Sequence, residues 1–311
     1  RIYFTDSDQR NTVEYFKIGM STFTKEHDKV LIFLPCEKEA SIGKLLANAI
    51  SKINCIPYEY GVITDMDEAI ETIMAIKPNV LVGIPFQIMA LAKTSKLRNI
   101  NISSIDKVLL STDAISETLV REVKNILGCE VYRYYGLTEA GYGGAIECNL
   151  HHGYHLYTSD FIFEIIDPYG TKLLPDGEYG EVVITTLKRE AMPLIRYRTG
   201  DISRIISEPC ACGSSLKRLD KILYRKGCGF EIEDYYLNNN DIDETILDFE
   251  NLVDYTANCS MSDNEYIINI TAYNNSKKDF KTQIYERIKR KIIEDKIGSR
   301  EKVKLNIELH F

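Results

Sequence analysis

The sequence predicts an α/β fold: a parallel sheet with helices on both faces, followed by a small antiparallel β-rich subdomain and a small α+β C-terminal domain. Three observations carry this. Short apolar runs alternate with helical patterns five times between about residues 28 and 140, as parallel strands joined by crossover helices do. From about 154 to 222 the texture becomes strands and turns, with no helical pattern of length between them. The last stretch pairs two strand-like runs with an amphipathic helix and a strictly alternating strand. The expected division is 1–153, 154–225 and 226–311, the last part being mobile.

Residues 1–5 read as apolar and β-like, with no cap or turn before them. The chain does not begin with Met and reads as cut from something longer. Val13, Phe16, Ile18 and Met20 then mark a helical face, with Thr5 or Asp6 as its cap. Residues 28–35 are a continuous apolar run, expected for a strand buried on both faces. Ile42, Leu45, Leu46, Ile50 and Ile53 follow at helical spacing, and 56–63 is strand-like. Asp65 caps a helix whose face is Ile70, Ile73 and Met74. Residues 80–85 are a buried strand, 86–96 a helix and 107–112 a third apolar run. Ser116 caps the next helix and Gly128 closes it. Residues 129–136 are the following strand. Turns are expected at 167–170, 175–180 and 199–201. The polar, Gly-bearing stretch 226–230 is a natural hinge. Runs 255–261 and 265–273 flank a Ser-Asp-Asn turn. Phe280, Ile284, Ile288 and Ile292 mark a basic amphipathic helix, read as a solvated face over an apolar stripe. Val303, Leu305, Ile307, Leu309 and Phe311 alternate as a half-buried strand does.

The net charge of −8 and a pI near 5.3 argue against a nucleic-acid partner. No apolar run reaches the roughly 18 residues of a membrane span, and no signal segment is visible. These features suggest a soluble, cytoplasmic protein with no membrane partner. The eight cysteines are irregularly spaced in a chain too large to need disulfide staples, so thiols or metal ligands are expected. Cys36, Cys55, Cys129 and Cys259 lie in or beside apolar runs and read as core. Cys228, in the hinge stretch, reads either way.

Two short runs concentrate chemistry: YYGLTEAGYGG at 134–144 and RYRTGD at 196–201. Thr and carboxylate groups beside flexible backbone suit a phosphate and its metal ion, and an Asp after a Gly turn suits a ribose diol. Ser111-Thr112-Asp113 and 135–139 both fall just after strands, where open parallel sheets bind ligands.

An ordered set of pieces, YYGLTEAG at 134–141, GEYGEVVITTL at 177–187, MPLIRYRTGD at 192–201, CACG at 210–213 and LKRLDKILYR at 216–225, resembles the adenylate-forming acyl- and aryl-CoA ligases. The phenylacetate-CoA ligase group is the branch it is most similar to. GIPFQIMALA at 83–92 and KVLLSTDA at 107–114 fit more loosely. The resemblance runs from residue 1 to about 225. It implies ATP, CoA and a small carboxylate as substrates, with an acyl-AMP intermediate. Ser111, Thr112, Asp113, Tyr134, Tyr135 and Gly136 would hold the adenine, Tyr135 by stacking. Thr138 would bond the α-phosphate, Glu139 would hold Mg²⁺, Asp201 would accept both ribose hydroxyls and Arg225 would contact ribose or phosphate. Phe86, Gly141, Gly143 and Gly144 would line the acyl pocket, and an aryl or arylacetic acid is ranked above a short fatty acid.

On this resemblance the phosphate loop belongs just before residue 1, and no Gly-Lys near the end supplies an adenylation lysine. Lys302 and Lys304 sit in a strand pattern instead. The isolated chain is therefore expected not to adenylate. Two alternatives stand: a non-catalytic nucleotide- or zinc-binding relative, and an adenylating enzyme that does not use CoA, acting for instance on a deazaflavin hydroxyl. The oligomeric state is open, a dimer included. Cys210 and Cys212 on a Gly-bearing turn, with Cys148 and the nearby histidines 151, 152 and 155, offer a tetrahedral zinc set. The branch is similar around Gly-Tyr-His, which selects His155. Four protein ligands imply a structural Zn²⁺.

Overall fold

The computed structural model describes residues 1–298 and 302–310. By packing they form two units: Arg1–Pro85 with Ile102–Asp113 and Gly128–Leu223, and Phe86–Asn101 with Ala114–Leu127 and the described residues from Tyr224 onward.

In the first unit the elements run α1 (Asp6–Ser21), β1 (Lys29–Phe33), α2 (Ile42–Ser51), β2 (Ile56–Glu59), α3 (Met66–Ile76), β3 (Val80–Gly83), β4 (Lys107–Leu110), β5 (Glu130–Gly136), β6 (Gly144–Glu147), β7 (Tyr154–Leu156), β8 (Phe161–Ile166), β9 (Gly180–Thr186), β10 (Tyr197–Ser203), β11 (Ile205–Ile206) and β12 (Arg218–Leu219). The main sheet has the order β11-β12-β7-β6-β5-β4-β3-β1-β2. From β2 to β5 it is parallel. Val30, Leu31, Ile32 and Phe33 are all at most 1 % exposed, the double-sided burial that a continuous apolar run requires. Thr5 caps α1 in a capping box with Asp8, and Asp65 caps α3 through the amides of Asp67 and Glu68.

The expected fold class holds, and several details differ. Residues 1–5 form no strand. They lead into the cap, and the Phe4 ring stacks on Tyr142 at 5.6 Å. Ile18 is 46 % and Met74 52 % exposed. The α1 core face is instead Val13, Phe16 and Met20, with Tyr15 beside it. The sheet does not stop at β5. A reversal at 137–143 brings β6 back antiparallel to β5, β7 follows antiparallel, and β12 and β11 extend the same sheet. Within the region expected to be β-rich, β8, β9 and β10 pair antiparallel in a sheet apart from the main one. Pairing across tens of residues leaves no local signature, which is why the split was invisible. Residues 199–201 are also not a turn between strands: they lie inside β10.

In the second unit are α4 (Pro85–Leu97), α5 (Glu117–Leu127), β13 (Tyr224–Arg225), the hairpin of β14 (Gly229–Ile232) and β15 (Tyr235–Asn238), α6 (Asn239–Ile246), β16 (Leu252–Ser262), β17 (Glu265–Asn274), α7 (Lys281–Ile288) and β18 (Val303–His310). The expected hinge stretch thus runs through a turn into β14. Ser116 caps α5 by accepting from the Leu119 amide at 3.2 Å. β16 and β17 form a hairpin through Asp263 and Asn264, both at positive φ, and β18 pairs parallel with β17. Val303 and Ile307 are buried between exposed neighbours, as alternation predicts. Phe311 lies outside the described residues. The amphipathic helix begins as α7 and continues as a π-helix over Lys289–Ile297, keeping Ile284, Ile288 and Ile292 buried. Lys93 of α4 is 2 % exposed, and its ammonium donates to the carbonyls of Leu247 (2.6 Å), Phe249 (2.9 Å) and Leu252 (2.8 Å).

Candidate functional site

Alternation along β5 sends neighbouring tyrosines to opposite faces of the sheet. Tyr134 packs with the α1–α2 core, edge-on to Tyr15 at 5.8 Å, and its hydroxyl donates to the Tyr142 carbonyl. Burial pushes the Tyr134 phenol well up. Tyr135 packs in a second core between the antiparallel half of the sheet and β8–β9. The loop 137–143 reverses the chain, with Gly136 opposite Gly144. Thr138 is exposed and Glu139 half-buried within it. Gly141 lies at φ +78, where a side chain would be strained. A Cβ there would meet Arg189 at 2.7 Å, and one at Gly143 would meet the Phe161 ring at 2.8 Å. Arg189 and Phe161 thus pack directly against these glycines. Gly144 approaches the Tyr135 backbone in the same way.

The RYRTGD run is held by its own strand pair. The β9–β10 register shifts between Arg198 and Ile202, and Gly200 has φ +78, a bulge built on glycine. Arg198 pairs with buried Glu181 and donates to the Pro168 (2.8 Å) and Gly170 (3.0 Å) carbonyls, fixing the 167–170 turn. The Thr199 hydroxyl donates to the Val182 carbonyl at 2.8 Å and accepts the Asp201 amide at 3.0 Å. Arg196 pairs with Glu164. These residues shape the bulge, and the bulge aims Asp201. The Tyr135 hydroxyl donates to Asp201 Oδ2 at 2.8 Å, both groups being buried. One hydrogen bond thus joins the two runs that the sequence singles out.

Ser111 directly follows β4, its amide donating to the Gly83 carbonyl at 3.1 Å. Thr112 follows at φ +82. A β-branched residue there is strained, and such strain concentrates at ligand sites. Thr112 and Asp113 are exposed at this strand end. Phe86 and Arg225 belong to the second unit. The Phe86 ring stands edge-on to Tyr255 at 5.9 Å. Arg225 is exposed, and its carbonyl accepts from the Tyr236 hydroxyl at 3.1 Å.

Sequence reasoning missed the surroundings of the 137–143 loop. Asp8, Thr12, Lys188 and Arg189 line one depression with Gly141 and Gly143. The Thr12 hydroxyl donates to the Gly141 carbonyl at 2.8 Å. Arg189 lies 4.4 Å over the Phe4 ring and donates to the Tyr3 carbonyl. Burial lowers its guanidinium, and the charges of Asp8, Tyr142 and Glu139 oppose that. The Lys188-Arg189 pair between two recognised segments was the available signal.

The four proposed zinc ligands do meet. The ligand atoms of Cys148, His155, Cys210 and Cys212 lie within 4.8 Å of one another. Cys148 and Cys210 sulfurs are 3.8 Å apart, and Cys212 Sγ is 3.4 Å from His155 Nε2. Zn–S bonds of 2.3 Å at tetrahedral angles put sulfurs about 3.8 Å apart, and sulfur and nitrogen about 3.6 Å. Buried Arg218 donates to the His152 (2.6 Å) and Glu208 (2.7 Å) carbonyls, clamping the two segments that carry the ligands. His151 turns instead to Glu130 and Glu147. Burial pushes the Cys148 thiol up to about 11 and, with the Arg218 charge, lowers His155. A neutral imidazole is the form a metal takes. Cys55 and Cys129 are buried, Cys36 and Cys259 partly so, and Cys228 is exposed.

The AMP-binding enzyme family matches residues 8–187. Among curated proteins the chain is 34 % identical to the phenylacetate-coenzyme A ligase of Thermus thermophilus over 153 residues, 48 % of this chain and 34 % of that one. It is 28 % identical to the Pseudomonas putida enzyme of the same name over 190 residues, 60 % of this chain and 43 % of that one. These matches span between about a third and under half of the relatives' length. Among solved structures, 2-hydroxyisobutyryl-CoA ligase in its postadenylation state superposes with a TM-score of 0.81 at 17 % identity, covering 98 % of this chain and 67 % of that one. The anthranilate CoA ligase AuaEII gives 0.70 at 12 % identity, covering 99 % and 60 %. No described helix is long and apolar enough to cross a membrane. With more than half its length matched by the family model, the chain belongs to the AMP-binding enzymes.

Proposed function

We propose that the chain carries the nucleotide-binding part of an AMP-forming acid–CoA ligase, which adenylates an aryl or arylacetic carboxylate with ATP and passes it to CoA. The Tyr135–Asp201 hydrogen bond is the observation that carries this reading. A carboxylate held by a tyrosine from the carboxyl end of β5 is preset to accept a ribose diol. Thr138, exposed in the adjoining loop, is assigned to the α-phosphate, and Glu139 to Mg²⁺, which would neutralise charge as pyrophosphate leaves. Strained Thr112, with Ser111 and Asp113, is assigned to the adenine. The acid's apolar body is assigned to the slot beneath Ser111 and Tyr134.

Calorimetric titration of AMP into the chain tests the reading. Asp201→Asn should weaken AMP by tenfold or more, since a hydrogen bond to a charged group contributes about 1.5–3 kcal/mol. Tyr135→Phe should cost less, because it only loosens Asp201. An unchanged affinity in a folded Asp201→Asn protein would sink the assignment.

We also propose that Cys148, His155, Cys210 and Cys212 hold a structural Zn²⁺, supported by ligand spacings that match a tetrahedron. Elemental analysis should find one zinc per chain, absent in Cys212→Ser, with a lower Tm on its loss. Zinc-free protein purified without chelators would overturn this.

A further inference from the structure

Two cavities of the first unit share a wall. The first is the slot beneath Ser111 and Tyr134, floored by Leu46, Val82 and Leu109. Its volume is about 20 Å³, room for about one water. The second lies between α1, β7 and the 212–216 loop, against Ile18, Thr22, Leu156 and Leu216, and its volume is about 220 Å³. An apolar cavity of about 150 Å³ takes up a benzene, so the larger space holds far more than the one ion assigned to its Cys148–His155–Cys212 rim.

Gly19 and Ile146 line both cavities. Gly19 sits inside α1, where glycine weakens a helix. A Cβ there would meet Ile146 Cδ1 at 3.3 Å. The partition is thus one isoleucine side chain against bare backbone. The slot as it stands is too small for an aromatic ring, so a lining side chain must move, and of those side chains Ile146 is the one that also faces the larger space. Moving that side chain opens the larger space. Met20, also lining the slot, is unbranched and adapts readily.

We propose that the two cavities form one acid-binding channel with Ile146 as its gate. Its occupant is an arylalkanoic acid longer than phenylacetate, with its carboxylate directed out of the slot towards the nucleotide and its apolar tail beyond Gly19. This rests on the acid-activating function proposed above.

The test is calorimetric titration of phenylacetate, phenylbutyrate and phenyloctanoate into the 311-residue chain with AMP present. Each added methylene should tighten binding about three- to fourfold until the cavity is full. Ser214→Trp and Thr22→Trp, which plug only the second cavity from opposite sides, should abolish that gain and leave phenylacetate within twofold. The inference falls if phenylacetate binds but its homologues bind no tighter, or if the gain survives both plugs. In either case the acid-activating function stands. If AMP binds and phenylacetate does not, that function falls as well.

Discussion

Asp8 shows how much one side chain can hold in this molecule. Its carboxylate accepts the amides of Thr5 (3.0 Å), Glu190 (2.9 Å) and Ala191 (3.1 Å), so the start of α1 and the 188–191 loop share one acceptor. Burial raises its pKa, but the three N–H groups and Arg189 outweigh burial and hold it below 3.8. A carboxylate lowered on folding contributes stability that is complete above its unfolded value and is lost as pH falls through the folded one. Thermal unfolding should therefore show a stability loss below about pH 4 that Asp8→Asn lacks, and that variant should be about 1–2 kcal/mol less stable at neutral pH. An identical pH profile in Asp8→Asn would contradict this. The local half of the arrangement was legible: Thr5 is the cap that the sequence allowed. The other half was not, because Glu190 lies 182 residues away. Asp201 was legible through its Gly-Asp context, but its anchor on Tyr135 was not. Alternation along a strand says which face a tyrosine takes, not which carboxylate waits there.

At the scale of elements, the apolar runs and helical faces of 28–140 matched the strands and helices closely, because burial on one face imposes its period on the sequence. Where an element's role depends on distant backbone, the period is silent. The bulge in β10 is one case. Its glycine was visible as a turn signal, but only pairing with β9 shows that the chain stays in the strand. Lys93 is another. A lysine inside a helix normally reads as solvated, and nothing near it announces the three carbonyls at 247–252 that enclose it. Lys93→Met should take a charged donor away from all three carbonyls and cost about 3 kcal/mol or more in urea unfolding. A loss below about 1 kcal/mol would show that water replaces the ammonium.

Across the whole molecule, the order of five short pieces identified the family, and the match over 8–187 agrees with it. That order worked because several of the pieces fall where backbone geometry restricts the residues: the reversal after β5, the bulge in β10 and the turn that carries Cys210 and Cys212. The extension of the sheet through β7, β12 and β11 and the paired cavities beside α1 left no such trace, since they depend on packing between segments that are ordinary taken singly. We propose that 111–113, 134–144 and 197–203 form one nucleotide site. Hydrogen–deuterium exchange of the chain with and without saturating AMP tests it most directly. A shared site should slow exchange in all three segments together, and Asp201→Asn should reduce that protection. AMP binding that leaves all three unchanged, or protects only residues elsewhere, would contradict it.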